Sequence, residues 1–167
     1  HPTGKESRST MSITESELDA ARAGWGNALI DISRAFDEDG FDAARAVAEQ
    51  MLNDAYGYGF GPVLFKPTMA SGEQTFRPTK NGALSYFVGH DNDFPLDGGF
   101  GLKGWRAMRS VTAASFIEGD VAMWMGRVIL TDKDGQVTTV DKSFGYRKDD
   151  AGILRIVLHH SSLPYEP

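Results

Sequence analysis

The 167-residue chain predicts an α+β fold, with N-terminal helices packed on a curved, mostly antiparallel sheet. Two observations carry this. Apolar residues recur every three to four positions through the first third of the chain, the spacing of buried helix faces. From Trp105 onward the rhythm changes, and four strand-like runs follow one another across short turns. A sheet that wraps over a long N-terminal helix leaves a cone between the two.

Residues 1–10 are polar and read as an appended expression remnant or disordered tail, with Met11 as the native start. His1 is therefore not counted as a ligand. Residues 11–167 are long enough for one domain with its own core. Thr14 and Glu17 have capping-box spacing. Leu18, Ala21, Trp25, Leu29, Ile32 and Phe36 then form one face of a helix over residues 15–39, which Gly40 is placed to stop. Asp42 can cap a second helix with Ala44, Val47, Ala48, Met51, Leu52 and Ala55 on its apolar face. The run from Tyr56 to Pro62 alternates glycine and aromatics. It matches no phosphate-binding fingerprint and reads as a flexible connection.

Val63 to Lys66 reads as a short strand that stops at Pro67. Residues 71–82 and 91–101 are loop-like, and Ala83–Val88 is a short apolar segment, helix or strand. The four later runs are 106–118, 121–131, 137–147 and 153–161. Gly119-Asp120, Asp132-Lys133-Asp134-Gly135 and Asp149-Asp150-Ala151-Gly152 separate them, which predicts an antiparallel meander. Trp25, Trp105 and Trp124 read as core. The runs 106–118 and 121–131 are apolar on both faces. Helices would cover one side and a second subunit the other, so a homodimer or higher homo-oligomer is expected.

The net charge is −6 and there is no basic run, which argues against nucleic acid as a partner. No apolar stretch has the length of a membrane span, and no leader segment is visible, so the expectation is a cytoplasmic protein. With no cysteine, disulfides and thiolate metal sites are excluded.

The last strand starts apolar and turns polar at His159-His160-Ser161-Ser162. Alternation puts His159 and Ser161 on one face with Arg155 and Val157, and His160 and Ser162 on the other. A strand leaving the core with His and Ser two apart can line a pocket mouth, or simply emerge into solvent. Adjacent histidines facing opposite ways cannot easily share a metal ion. His159 with His90 and a carboxylate is the one metal set that could be assembled, and there is no His-Glu-x-x-His signature. Neither serine sits on a nucleophile elbow. What is left is an uncharged, hydrogen-bonding pocket. Thr68, Tyr86 and Ser161 offer hydroxyls, and His159 can carry a proton near neutral pH. Singly, Thr68 could serve only a turn and Tyr86 only the core.

Lys66-Pro67-Thr68 after an apolar strand, Ser85-Tyr86-Phe87, and the closing His159-His160-Ser161-Ser162-Leu163-Pro164 together resemble the iota-class carbonic anhydrases, over about residue 15 to the end of the chain. The closing motif is the most specific part. The resemblance implies an NTF2-like cone fold, related to the kinase association domain. It also implies reversible hydration of carbon dioxide to bicarbonate, with Thr68, Tyr86, His159 and Ser161 catalytic and Thr68, Tyr86 and Ser161 binding the substrate. Some members of the family work without metal and others have been linked to manganese or zinc. The count of histidines here favours no cofactor. A base must still accept the proton of the attacking water. His159 is the nearest candidate, and a Tyr86 phenolate the other. The competing readings are a non-catalytic association module on the same cone, and a ketosteroid-isomerase-like enzyme. The latter wants a carboxylate base in an apolar pocket, and only Glu118, Asp120, Asp141 and the turn aspartates lie near the strand ends.

Overall fold

Helix α1 spans Glu15–Asp39 and begins in the expected capping box: the Thr14 side chain accepts from the Glu17 amide, and Glu17 reaches back to the Thr14 amide. The computed structural model describes residues 12–167, so the reading of residues 1–10 lies outside the described residues. Gly40 ends α1 with φ of 94°, a conformation that other residues rarely adopt. Gly40 is also the N-cap of α2, Phe41–Ala55. Asp42 therefore falls in the first turn of α2, where its charge suits the helix dipole, and does not cap it.

β1, Leu64–Lys66, is followed by a single 3-10 turn, and then by α3, Lys80–Val88, which the Thr79 side chain caps. The segment that was open between helix and strand is thus helical, and it starts inside the stretch expected to be loop. Thr79 supplies the local reason, since its hydroxyl accepts from the Gly82 amide. The meander follows: β2 Trp105–Glu118, β3 Val121–Asp132, β4 Val137–Lys148 and β5 Leu154–Ser162. All four lie within one or two residues of the runs read from sequence.

The sheet order is β1-β5-β4-β3-β2. Four strands are antiparallel neighbours in chain order, and β1 adds to β5 in parallel. The inner face of α1, with Leu18, Trp25, Leu29 and Ile32, is buried against the sheet and α2. Full burial of each such side chain contributes about 1.5–3 kcal/mol. Trp25, Trp105 and Trp124 are all core.

One departure in β5 decides what its polar end faces. Gly145 pairs with Leu158 and Tyr146 with Ile156, so Val157 is an extra, unpaired residue. Such a bulge shifts the alternation by one. The inward set is Ile156, His159 and Ser161, all buried, while Arg155 and Val157 do not share that face. Without the bulge, Ile156 in the core would force His159 and Ser161 outward.

Candidate active site

A row of side chains crosses the sheet at His159. Its register partners are Phe65 on β1 and Phe144 on β4. Both rings lie 4.5 Å from the imidazole, centroid to centroid, and Trp25 of α1 meets its edge at 5.6 Å. One step along, Ser161 is the register partner of Lys142 on β4. Lys142 lies on the inward phase Val140, Lys142, Phe144, Tyr146, and it is buried. Diagonal cross-strand neighbours are within reach of a long side chain. The Lys142 Nζ stands 2.8 Å from His159 Nε2 and 3.0 Å from Ser161 Oγ.

On the far side of the imidazole, Nδ1 is 2.8 Å from the hydroxyl of Tyr56, the residue that ends α2. Trp25 donates its indole N–H to the same hydroxyl at 3.0 Å. Tyr56 is thus a buried part of the cluster, and the expected flexible connection is instead a turn tied to the sheet, with the Gly57 amide donating to the Ile156 carbonyl at 2.8 Å. From the other end, Thr68 follows β1 and Pro67, and its Oγ1 is 2.6 Å from Ser161 Oγ. The Tyr86 hydroxyl accepts from the Met69 amide at 3.2 Å. Tyr86 also borders a cavity of about 450 Å³ that Met69, Phe100 and Leu102 share.

The position of Tyr86 is fixed from behind. Arg77 grips Asp97 through two hydrogen bonds, at 2.6 and 2.7 Å, with both side chains buried. Ser85 of α3 donates to the same carboxylate at 2.7 Å, and Arg77 also donates to the Gly82 carbonyl. Helix α3 is thereby tied to both loops that flank it. A bidentate, charge-assisted pair of this kind holds geometry tightly.

The structure therefore brings Thr68, Ser161, His159 and Tyr86 into one neighbourhood. Thr68 touches Ser161 directly. Lys142 bridges Ser161 to His159. Tyr86 joins through the Thr68–Met69 backbone. Sequence reasoning missed Lys142 and Tyr56. A charge at an inward strand position was the available signal for Lys142; nothing comparable marked Tyr56.

The protonation states differ from those expected of hydroxyls and a titrating histidine. Burial, with help from Lys142, holds the His159 imidazolium well below the usual histidine range. His159 is therefore a neutral ring at neutral pH. Burial pushes the Tyr86 phenol up to about 12, against the Met69 amide and the Thr68 side chain, so a phenolate is also disfavoured. Burial, with repulsion from Lys66, brings Lys142 down to about 7.

Among the described residues, no group of three or more His, Asp or Glu side chains could hold a metal ion. His90 is not near His159. Its Nδ1 lies 3.0 Å from the Val88 carbonyl oxygen and its ring packs on Phe41. Among the described residues no carboxylate hydrogen-bonds to Thr68, Tyr86, His159 or Ser161, and Asp97, which lines the cavity beside Tyr86, is held by Arg77 and Ser85. Asp141 pairs with Arg127 on the outward face and Glu118 is exposed, which removes the base that an isomerase of the ketosteroid type would need.

Comparison with known proteins bears on this directly. The profile of the family described as "Metal-independent carbonic anhydrase" matches residues 16–163. This chain belongs to that family. Its activity is the reversible hydration of carbon dioxide to bicarbonate, without a metal cofactor. A metal-independent carbonic anhydrase from Nostoc sp. strain PCC 7120 is 57% identical over 154 residues, which cover 92% of this chain and 75% of that one. A solved iota-carbonic anhydrase from a cyanobacterium, complexed with bicarbonate, is 56% identical with a TM-score of 0.93, over 94% of this chain and 96% of that one. An NTF2-like protein from Pseudomonas putida KT2440 shares the fold alone, at 16% identity and a TM-score of 0.53, over 91% and 87% of the two chains. The fold of this carbonic anhydrase family member is NTF2-like, as the resemblance implied.

Proposed function

We propose that the hydration reaction of this chain runs at Thr68, Tyr86, His159 and Ser161, with Thr68, Tyr86 and Ser161 holding the oxygens of carbon dioxide and bicarbonate. The observation that carries this is the 2.6 Å contact between Thr68 and Ser161, two hydroxyls delivered by separate elements. A hydroxyl both donates and accepts, so the pair can hold the attacking water and then donate to the product anion. Positioning two small reactants contributes to the rate by itself. Donors aimed at the oxygens where charge develops add to it. Tyr86, kept as a neutral phenol, is such a donor. His159 stays neutral and orients the chain behind Ser161. The bicarbonate complex of the cyanobacterial relative supports the choice of ligand.

Ser161→Ala and Thr68→Val each remove one hydroxyl at little change in volume. Each should lower the stopped-flow hydration rate about 100-fold with circular dichroism unchanged. Tyr86→Phe should also lower it. His160 is exposed and faces outward, so His160→Ala should keep the rate. Full activity in the Ser161, Thr68 and Tyr86 variants alike would overturn the assignment.

The assembly proposed is a homodimer or higher homo-oligomer through the outward face of β2 and β3. Phe116 and Met123 are register partners there, as are Ala114 and Met125, and Phe116, Met123 and Met125 are exposed in the single chain. Light scattering at micromolar concentration should give more than one chain per particle, and Met125→Lys should shift it towards one. No described helix is long and apolar enough to cross a membrane. The proposed location is the cytoplasm.

A further inference from the structure

The direction of each hydrogen bond in the buried cluster can be set from one end. An indole N–H only donates, so the Tyr56 oxygen accepts from Trp25. The one hydrogen of Tyr56 then goes to its other partner, His159 Nδ1. With Nδ1 accepting, neutral His159 carries its hydrogen on Nε2. That hydrogen points at Lys142 Nζ, 2.8 Å away. To accept it, Nζ must present a lone pair, which an ammonium lacks and a neutral amine has. Of the two hydrogens on the amine, one reaches Ser161 Oγ and the other is free to face the Trp25 ring, 4.6 Å from Nζ. Ser161 in turn hydrogen-bonds to Thr68, and either hydroxyl can be the donor.

The surroundings agree. Lys142 is faced by His159 and Ser161 from β5, by Trp25 from α1, by Phe144 from its own strand, and by Lys66 from β1. Tyr56 hydrogen-bonds to His159 Nδ1, and His160 follows His159 on β5 with its side chain exposed. Lys66 is a second cation, and no carboxylate helps to hold a charge on Lys142.

We propose that Lys142 is the proton acceptor of the hydration step, a positioning residue that acts on the substrate through the Ser161 hydroxyl. This rests on the assignment of Thr68 and Ser161 as the substrate site. As the water oxygen bonds to the carbon of carbon dioxide, one C=O electron pair moves onto oxygen. The water O–H bond breaks, its proton passes to Ser161 Oγ, and Ser161 gives its own proton to Lys142, whose single lone pair turns from the His159 N–H to the Ser161 hydroxyl as it does so. Carbon dioxide, water and a neutral amine become bicarbonate and an ammonium. The chain then runs in the wrong direction for the charged state: His159 must move its hydrogen to Nδ1, and Tyr56 faces two donors. That disfavours keeping the proton and returns it to solvent along Ser161 and Thr68 once bicarbonate has left.

The test has two arms. In the first, the 13Cε and 15Nζ resonances of Lys142 in the unsubstituted protein are titrated by NMR, with K142M to assign them. A midpoint near 7 is expected; an ammonium that persists to pH 9 overturns the proposal whatever the variants do. In the second, stopped-flow hydration is followed from pH 6 to 9. The rate of the unsubstituted protein should rise through the same midpoint. K142M, which cannot titrate, and K142R, charged throughout, should both fall about 100-fold and lose the inflection, a size typical of a lost general base. Unchanged rates and inflection in K142M would overturn the role of Lys142 and leave the substrate site standing. No hydration by the unsubstituted protein would overturn both.

Discussion

Phe65 lies flat against His159, with ring centroids 4.5 Å apart and planes 10° from parallel. The two are register partners across the parallel β1–β5 pair, so the stacking follows from strand order rather than from side-chain chance. Phe144 covers the imidazole from the antiparallel side. His159 is closed in by the strands on both sides, which is why its charged form is so disfavoured.

Phe65→Ala removes one of these walls. Truncating a buried Phe costs about 3–5 kcal/mol, and a drop of that size should appear in urea unfolding. Water admitted to the imidazole should also move the His159 titration up towards the ordinary histidine range. NMR of the ring protons would show it. An unmoved titration would mean that Phe65 contributes packing alone.

Lys142 ties stability to pH. Its folded-state affinity for a proton corresponds to about 7, against 10.5 for an unperturbed lysine. Between those values the unfolded chain binds a proton that the folded chain releases. Stability therefore rises with pH through this window and is flat in Lys142's contribution below it. His159 has the same sign: it is a base depressed by burial, so folding also gains as pH rises up to about 6.5. Tyr86 has the opposite sign, because a phenol raised to about 12 costs stability above pH 10. Urea midpoints taken at pH 7, 8 and 9 should rise, and K142M should lose most of that rise. Equal slopes in the two proteins would show Lys142 charged in the fold.

The fold was largely legible because its strongest signals are local. The apolar repeat of α1, the Thr14–Glu17 box and the Asp–Gly turns between strands all act within a few residues of chain. Thr68, Tyr86, His159 and Ser161 were reached through short motifs, and for His159 and Ser161 through strand parity. That parity argument chose the correct pair for an incomplete reason. The bulge at Val157 is what turns His159 inward beside Ile156, and a bulge leaves no mark in an apolar run. Lys142 was written into the inward phase of β4 between Val140 and Phe144. A lone lysine is rarely fully buried, so its place in that phase does not by itself mark it as part of a site. Tyr56 was hidden by its neighbours, since the glycines after it suggested a connection and its hydrogen-bond partners lie 31 and 103 residues away.

Tyr56 gives the sharpest test of how the cluster sets protonation. Its hydroxyl turns a fixed donor, the Trp25 indole, into a donor towards His159 Nδ1. Tyr56→Phe keeps the ring, which packs among Phe65 and Phe87, and deletes only that relay. Two consequences follow. The buried Trp25 N–H and His159 Nδ1 lose their partner, which should cost about 1–3 kcal/mol in urea unfolding. Nδ1 also loses the group that made it an acceptor, so neither imidazole tautomer is preferred from that side. His159 can then present a bare Nε2 to Lys142 and accept a hydrogen bond from an ammonium. The charged form of Lys142 becomes easier to hold, and its titration should move above 7. The inflection of the hydration rate should move with it, so that the Tyr56→Phe enzyme loses most activity below neutral pH and recovers part of it in alkali. A loss of rate that is uniform across pH, with the Lys142 resonance unmoved, would mean that Tyr56 braces His159 without setting its tautomer.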